Sequence, residues 1–340
     1  MNTETIKTLC GIPGVSGREN RIREAICSRL PDDVETMTDP LGNLIVKKHG
    51  AAAPKHSIMI CAHMDEVGLI ITSATEEGYL HFDEIGGIDP AVLIGRTVGL
   101  ENGGQGIIGL KHLHLCDKEE REKIPGMTDM VLDIGASSKE EALELAPLGS
   151  FAAYPADFKE FGDGRMKSKA LDDRVGCAIM LYLLNSELPW DMTFVFTVQE
   201  EVGTFGAQAA AFRVRPDIGI ILETTTAGDI CGVQGGKRAC VLGDGPVVSY
   251  MDRRTIYDME LYRLAMDIAE KNGIPCQTKT LVAGGNDAGS VQRTAGGARV
   301  MAVSVPTRYL HSPVCVMDRS DVENTLELLK VLLPEIGALQ

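Results

Sequence analysis

An α/β fold is predicted: a mostly parallel sheet sandwiched by helices, with a small β-barrel inserted into it. Three observations predict it. β-Branched and aromatic runs alternate with helix-periodic segments, as in sheets covered by helices. Those runs are apolar throughout, as buried parallel strands are, and residues 68–164 change texture to glycine-rich strands with turns at close intervals. At 340 residues the chain also exceeds what a single core usually serves. The expected division is a discontinuous main domain, residues 1–67 and 165–340, interrupted by the 68–164 insert.

Each element has a local justification. Ser16 and Glu19 form a capping-box pattern ahead of Ile22, Ala25, Ile26 and Leu30, one apolar helical face. Asp39-Pro40-Leu41-Gly42-Asn43-Leu44 reads as a turn between two short strands, and residues 57–62 as a buried strand ending at His63. Within the insert, Leu69-Ile70-Ile71-Thr72 and Ile107-Ile108-Gly109-Leu110 are strand-like, and one helix is expected over 138–145. Val175, Ala178, Ile179, Tyr182 and Leu183 have helical spacing after Asp173. Strands follow at 193–198, ending at Gln199-Glu200-Glu201, and at 217–222, ending at Glu223. A helix from about Arg254 to a capping Gly273 precedes a strand at 299–305 that leads through Pro306 to His311. The last helix begins near Asp318 and buries Val322, Leu326 and Leu329.

The strand ends carry the chemistry. His63-Met64-Asp65, Leu171-Asp172-Asp173-Arg174, Gln199-Glu200-Glu201, Glu223 and Arg308-Tyr309-Leu310-His311 supply imidazoles and carboxylates, the ligands that zinc, cobalt and manganese accept. Open α/β sheets place ligands at the carboxyl ends of their strands. Asp65 is placed to orient the His63 ring, since a ligating imidazole usually gives its other N–H to a carboxylate. Of Glu200 and Glu201, adjacent and pointing apart, one can bind metal while the other takes a proton from the attacking water. Singly these are weak signals: His-x-Asp is common, Glu200-Glu201 could be a solvated turn, and Asp172-Asp173 could cap a helix. Together they form an acidic cluster that is costly to assemble unless cations neutralise it.

The ordered set 62–68 (Ala-His-Met-Asp-Glu-Val-Gly), Ala170-Leu171-Asp172-Asp173-Arg174, Gln199-Glu200-Glu201-Val202-Gly203, Thr226-Ala227-Gly228-Asp229, Gly284-Gly285-Asn286-Asp287-Ala288 and 306–313 resembles the TET-type di-metal metalloaminopeptidases, which include the deblocking and glutamyl aminopeptidases. The likeness covers nearly the whole chain. It implies a zinc-peptidase type fold, with residues 1–67 and 165–340 catalytic and 68–164 a dimerisation and assembly domain. It further implies two divalent metal ions per subunit: Asp172 bridges them, His63 and Glu223 complete one set, and Glu201 and His311 the other. Glu200 is then the general base, and Gly284, Gly285, Asn286 and Asp287 line the substrate site. A cis peptide between Asp172 and Asp173 is also implied. Two positions depart from the pattern: Glu223 stands where aspartate is usual, and Asn286 where threonine is usual. The implied activity is release of N-terminal residues from short unfolded peptides, inside a tetrahedral homododecamer built from dimers.

Composition narrows the classes. A net charge of −15 argues against nucleic-acid and anionic-membrane surfaces, where Lys and Arg dominate binding. Nine cysteines without a Cys-x-x-Cys indicate neither a disulfide framework nor a cysteine zinc site, which fits a cytoplasmic setting. The start at Met1-Asn2-Thr3-Glu4 has no leader-like pattern. His112 and His114 read as surface residues on one strand face, and His81 as structural. Lys237 and Arg238 are either a solvated pair or contacts for an acidic substrate side chain. The alternative enzyme readings are a related di-metal carboxypeptidase, dipeptidase or deacylase; a non-catalytic assembly protein is a further one. An endoglucanase is disfavoured, because one Trp and 5% aromatics leave few sugar-stacking platforms.

Overall fold

The computed structural model describes residues 3–339, so the expectation about a leader at Met1-Asn2 lies outside the described residues. The chain opens with helices α1 (Thr3–Gly11) and α2 (Asn20–Cys27), the hairpin β1 (Val34–Thr38) and β2 (Leu44–Lys48), and β3 (Ile58–His63). The hairpin turns on Asp39, whose Oδ1 accepts the N–H groups of Leu41, Gly42 and Asn43, each at 3.0 Å. Six strands then close a barrel: β4 (Gly68–Ala74), β5 (Leu80–Ile85), β6 (Thr97–Leu100), β7 (Gln105–Leu110), β8 (Met130–Asp133) and β9 (Phe151–Ala153). Short helices α3 (Lys118–Glu122) and α4 (Lys139–Leu145) lie within that stretch. Ser138 caps α4, accepting the Glu141 N–H; α3 is an addition to the single helix expected.

After β10 (Lys159–Phe161) and β11 (Arg165–Ser168) the chain returns to the main sheet. It adds α5 (Leu171–Leu184), β12 (Met192–Thr197), α6 (Phe205–Val214), β13 (Ile218–Thr226), β14 (Val247–Val248), α7 (Met259–Asn272), β15 (Gln277–Thr278), α8 (Ala288–Arg293), β16 (Arg299–Thr307), β17 (Cys315–Asp318) and α9 (Arg319–Gly337). The eight-stranded sheet runs β1-β2-β12-β3-β13-β16-β14-β15, and its central pairs β12–β3, β3–β13 and β13–β16 are parallel. Strand periodicity divides its neighbours into two layers. Ile58, Ile60 and Ala62 of β3 pack with α1, α5, α7 and α9, whereas Met59 and Cys61 face α6 and α8. Helix α6 sits close to β12 because Gly206 has no Cβ, which would collide with the Val198 carbonyl. The barrel keeps its own core, including Leu69, Leu80, Leu100, Ile108 and Leu132.

Several local expectations are corrected. Ser16 and Glu19 make no capping box: Glu19 stands at the N-cap of α2 without a cap bond, Ser16 donates to Asp65, and Glu19 accepts the Gln199 N–H. These side chains find stronger partners in the neighbouring loops. His112 and His114 lie around a 3-10 turn, Leu113–Leu115, rather than on a strand. Helix α7 starts at Met259, not Arg254, since Asp258 accepts the Glu260 and Leu261 N–H groups. Glu223 falls inside β13, which continues to Thr226. All nine cysteines are free, and among the described residues no helix is long and apolar enough to cross a membrane.

Candidate active site

Parallel strands β3, β12 and β13 run out side by side, and their ends meet the start of α5 and the loop after β16. Asp65 ties the first two together. Its Oδ1 accepts the Glu200 N–H at 3.0 Å, and its Oδ2 accepts the Glu201 N–H at 3.1 Å and the Ser16 hydroxyl at 2.7 Å. The His63 Nδ1 lies 3.1 Å from the Asp65 carbonyl and 3.5 Å from its Oδ1. Burial would raise the Asp65 carboxyl, but the His63 bond and charge and the other donors outweigh it and hold it below the usual range.

Asp172 stands between two imidazoles. Its Oδ1 is 3.2 Å from His63 Nε2 and its Oδ2 is 3.5 Å from His311 Nε2. Each ring has a second carboxylate: Glu223 Oε1 at 3.6 Å from His63 Nε2, and Glu201 Oε2 at 3.2 Å from His311 Nε2. The peptide between Asp172 and Asp173 is cis. His311 is oriented from the barrel side: its Nδ1 is 2.7 Å from the Gly87 carbonyl, in the segment that follows β5. Four residues in or beside this cluster, Ala170, Gln199, Tyr309 and His311, adopt left-handed φ of 53–57° without being glycine. Such conformations persist where surrounding structure enforces them, and they cluster at functional sites.

Carboxylates buried this close resist ionising together. Burial, followed by the charge of Asp172, pushes Glu201 up to about 8; burial against the opposing pull of His63 still leaves Glu223 at about 7. Glu200 and Asp173 are raised well above their usual values, by burial first. For the imidazoles, burial lowers and the carboxylates raise; the carboxylates win, leaving His63 well up and His311 at about 9. Divalent cations relieve such a cluster by favouring every ionised carboxylate at once. The donors fit them. Ligand atoms of His63, Asp172 and Glu201 lie within 4.8 Å of one another, as do those of His63, Asp173 and Glu223, and Asp173 Oδ2 is buried with no hydrogen-bond partner.

A cleft of about 410 Å³ opens over this cluster. Gly284, Gly285 and Asn286 line it, as does Lys237, but Arg238 does not. Asp287 is also absent from the lining: it is buried beneath, accepting the Thr197 hydroxyl at 2.6 Å. The sequence reading gave Asp173 no place in either ligand set and missed Lys279, Arg254 and Asp252 in the lining. Asp173 lay within a motif already singled out; the others had no local pattern to mark them.

Residues 42–328 match the family described as M42 glutamyl aminopeptidase. The lysyl aminopeptidase of Pyrococcus furiosus is 35% identical, with 98% of this chain and 97% of that protein covered. Among solved structures, an aminopeptidase of the archaeon Desulfurococcus kamchatkensis superposes with a TM-score of 0.92 at 34% identity, covering 98% of this chain and 94% of that one. The TET1 peptidase of Pyrococcus horikoshii, which can assemble into a tetrahedron or a large octahedral shell, gives 0.85 at 37% identity, covering 97% and 98%.

Proposed function

The chain belongs to the M42 glutamyl aminopeptidase family and is a metal-dependent aminopeptidase, and from that premise we propose that the cleft over Asp172 is its active site. The observation that carries this reading is the carboxylate of Asp172, with one oxygen facing His63 and the other His311. Asp172 would bridge two divalent cations, zinc, cobalt or manganese. His63 with Glu223 and His311 with Glu201 would complete the two sets. Bound there, such cations supply an activated water at neutral pH and polarise the scissile carbonyl.

The remaining work falls to the chain itself. Asp65 fixes the His63 ring and holds the backbones of Glu200 and Glu201, so the base and a ligand share one anchor. Glu200 stands outside both ligand sets. Its carboxyl, raised by burial, suits a group that accepts the proton of the attacking water and returns it to the departing amine. Gly284, Gly285 and Asn286 wall a space of about 410 Å³, which admits the end of an unfolded peptide but no folded domain. By likeness to the P. horikoshii peptidase, which can assemble into a tetrahedron or a large octahedral shell, we place the subunits in a tetrahedral dodecamer built from dimers.

Membership alone leaves the first residue's charge open, because the family description names glutamyl and the P. furiosus relative lysyl substrates. Which terminus is read is directly testable. A short peptide with a free N-terminus and an amidated C-terminus should be trimmed from its first residue, and its N-acetylated free-acid counterpart cleaved at least about 100-fold more slowly. Timed digests followed by mass spectrometry give the ladder. Equal cleavage of the acetylated peptide, or loss of C-terminal residues first, refutes the reading.

A further inference from the structure

A peptide longer than the cleft must leave it, and the proposed base marks the side on which it leaves. In the active-site reading above, Glu200 returns a proton to the departing amine, so the scissile nitrogen and every residue beyond it lie on the Glu200 side. The chain turns tightly there. The Glu200 carbonyl accepts the Gly203 and Thr204 N–H groups, each at 2.9 Å, and the Gln199 carbonyl accepts the Phe205 N–H at 3.2 Å. Gly203 lines the cleft. A Cβ built on it would stand 3.0 Å from Phe205 Cζ, so the ring of Phe205 stands at the cleft's rim.

Phe205 is also the head of a second depression, a groove of about 1240 Å³ along α6 and the end of α8. Leu41, Phe205 and Phe212 give it apolar walls that are 44%, 49% and 59% exposed, too much apolar surface in water for helix-face residues with no partner. From Phe205 to Phe212 the helix rises about 10 Å, which about three residues of extended peptide span. Arg213, Arg215 and Arg293 line the groove at the C-terminal ends of α6 and α8. Among the described residues, none of the three has a carboxylate within ion-pair distance: Arg293 Nε donates to the Gly289 carbonyl at 2.6 Å, and the Arg215 guanidinium lies 5.6 Å from the centre of the Phe212 ring. Asp39 is the one carboxylate of the lining among the described residues, and it is buried and committed to the N–H groups of Leu41, Gly42 and Asn43 and to the Asn43 side-chain amide. On a chain of net charge −15, an apolar track that starts at the cleft and ends in three uncompensated arginines is a local exception. It complements an extended peptide, with side chains along the track and the terminal carboxylate at guanidinium groups, whose forked donors match it.

Resting on the active-site reading above, we propose that this groove is an exosite for the distal part of the substrate, seating an apolar side chain against Phe205 and Phe212 and the C-terminal carboxylate on the arginines. The test uses the metal-loaded full-length enzyme and the initial release of the first residue. That residue, X, is the best cleaved of alanine, leucine, glutamate and lysine in X-Ala-amide. X-Ala-amide is then compared with X-Ala-Ala-Phe-Ala-Ala as free acid and as amide. The free-acid hexapeptide should exceed the dipeptide amide in kcat/KM by about tenfold or more, chiefly through KM, and its own amide by about threefold or more. Phe212→Ser should bring the advantage of length within about threefold of unity, and Arg213→Glu combined with Arg215→Glu should make the amide the better hexapeptide. In Glu200→Gln, which holds the peptide uncut, a benzoylphenylalanine in place of the Phe should crosslink to residues 205–215 on irradiation. Should the groove variants fail to fold, the wild-type ratios and the crosslink still decide. Equal kcat/KM for the three wild-type substrates, or crosslinks confined to other parts of the chain, overturns the proposal and leaves the aminopeptidase reading standing. A changed particle mass in the arginine variant with an unchanged order of substrates makes the groove a joint between copies of the chain and overturns the proposal as well. Failure to cleave any peptide with a free N-terminus overturns both readings.

Discussion

Asp65 accepts three hydrogen bonds and lies against the His63 ring, so one buried carboxylate sets the angle of a proposed ligand, the backbone of the proposed base and the backbone of a second proposed ligand. Glu200 is therefore held by its backbone, while its side chain is left for chemistry. Glu200→Gln preserves shape and removes the proton acceptor; kcat should fall about 100-fold or more while elemental analysis finds the wild-type metal content. A metal-loaded variant with normal turnover would rule out the assigned role. Residues of this kind were legible in the sequence because they are consecutive with strand ends: His63, Glu200 and Glu201 each follow an apolar run. Asp287, which the resemblance implied for the substrate site, is instead buried under the cleft and bonded to Thr197. Lys279 was invisible for the opposite reason, as it reaches the cleft lining from a stretch with no local pattern to mark it.

At the scale of elements, periodicity located the buried strands and the helical faces, but side-chain competition decided where helices begin. Ser16 and Glu19 had the right spacing to cap α2, and both were drawn instead to the loops around Asp65 and Gln199. The expected start of α7 at Arg254 failed because Asp258 is the better cap: it accepts two helix N–H groups and takes a two-pronged pair from Arg299 at 2.8 and 3.0 Å. That pair, with the backbone donors, holds the Asp258 carboxyl below its ordinary value although burial opposes the shift. The sign follows from linkage. A depressed folded-state pKa means that the unfolded chain binds the proton more readily, so the stabilisation is present above about pH 4 and fades as pH falls through the folded value. Asn caps about as well as Asp, so Asp258→Asn isolates the charge. We expect a loss of about 1 kcal/mol at pH 7, discounted for the partial exposure of both partners, and a smaller one at pH 3. Thermal melts at the two pH values measure it; a gap that does not narrow in acid would contradict the assignment.

At the scale of the whole molecule, the insertion of a barrel between His63 and Asp172 separates these proposed ligands in sequence, while β3 and the start of α5 bring them together in space, 3.2 Å apart. The barrel is no bystander to the site. Gly87 lies beside His311 through its carbonyl, and a Cβ at Gly86 would press on Glu201, so movement of the barrel is felt by two proposed ligands. Outside its core the same domain leaves large apolar side chains in water: Ile107 is 57% exposed, Leu113 60%, Leu115 71% and Ile124 81%. Exposed apolar surface of this kind marks a contact face, and the proposed assembly gives it a partner in another copy of the chain. None of the four belongs to the barrel core, so charging them spares the fold. Leu113→Glu, Leu115→Glu and Ile124→Glu combined should reduce the particle seen by light scattering to small species, with the circular dichroism of the wild type retained. Because His311 is braced by the barrel, peptide turnover per subunit should fall along with the mass. A large particle that survives all three charges would place the joining surface elsewhere on the molecule.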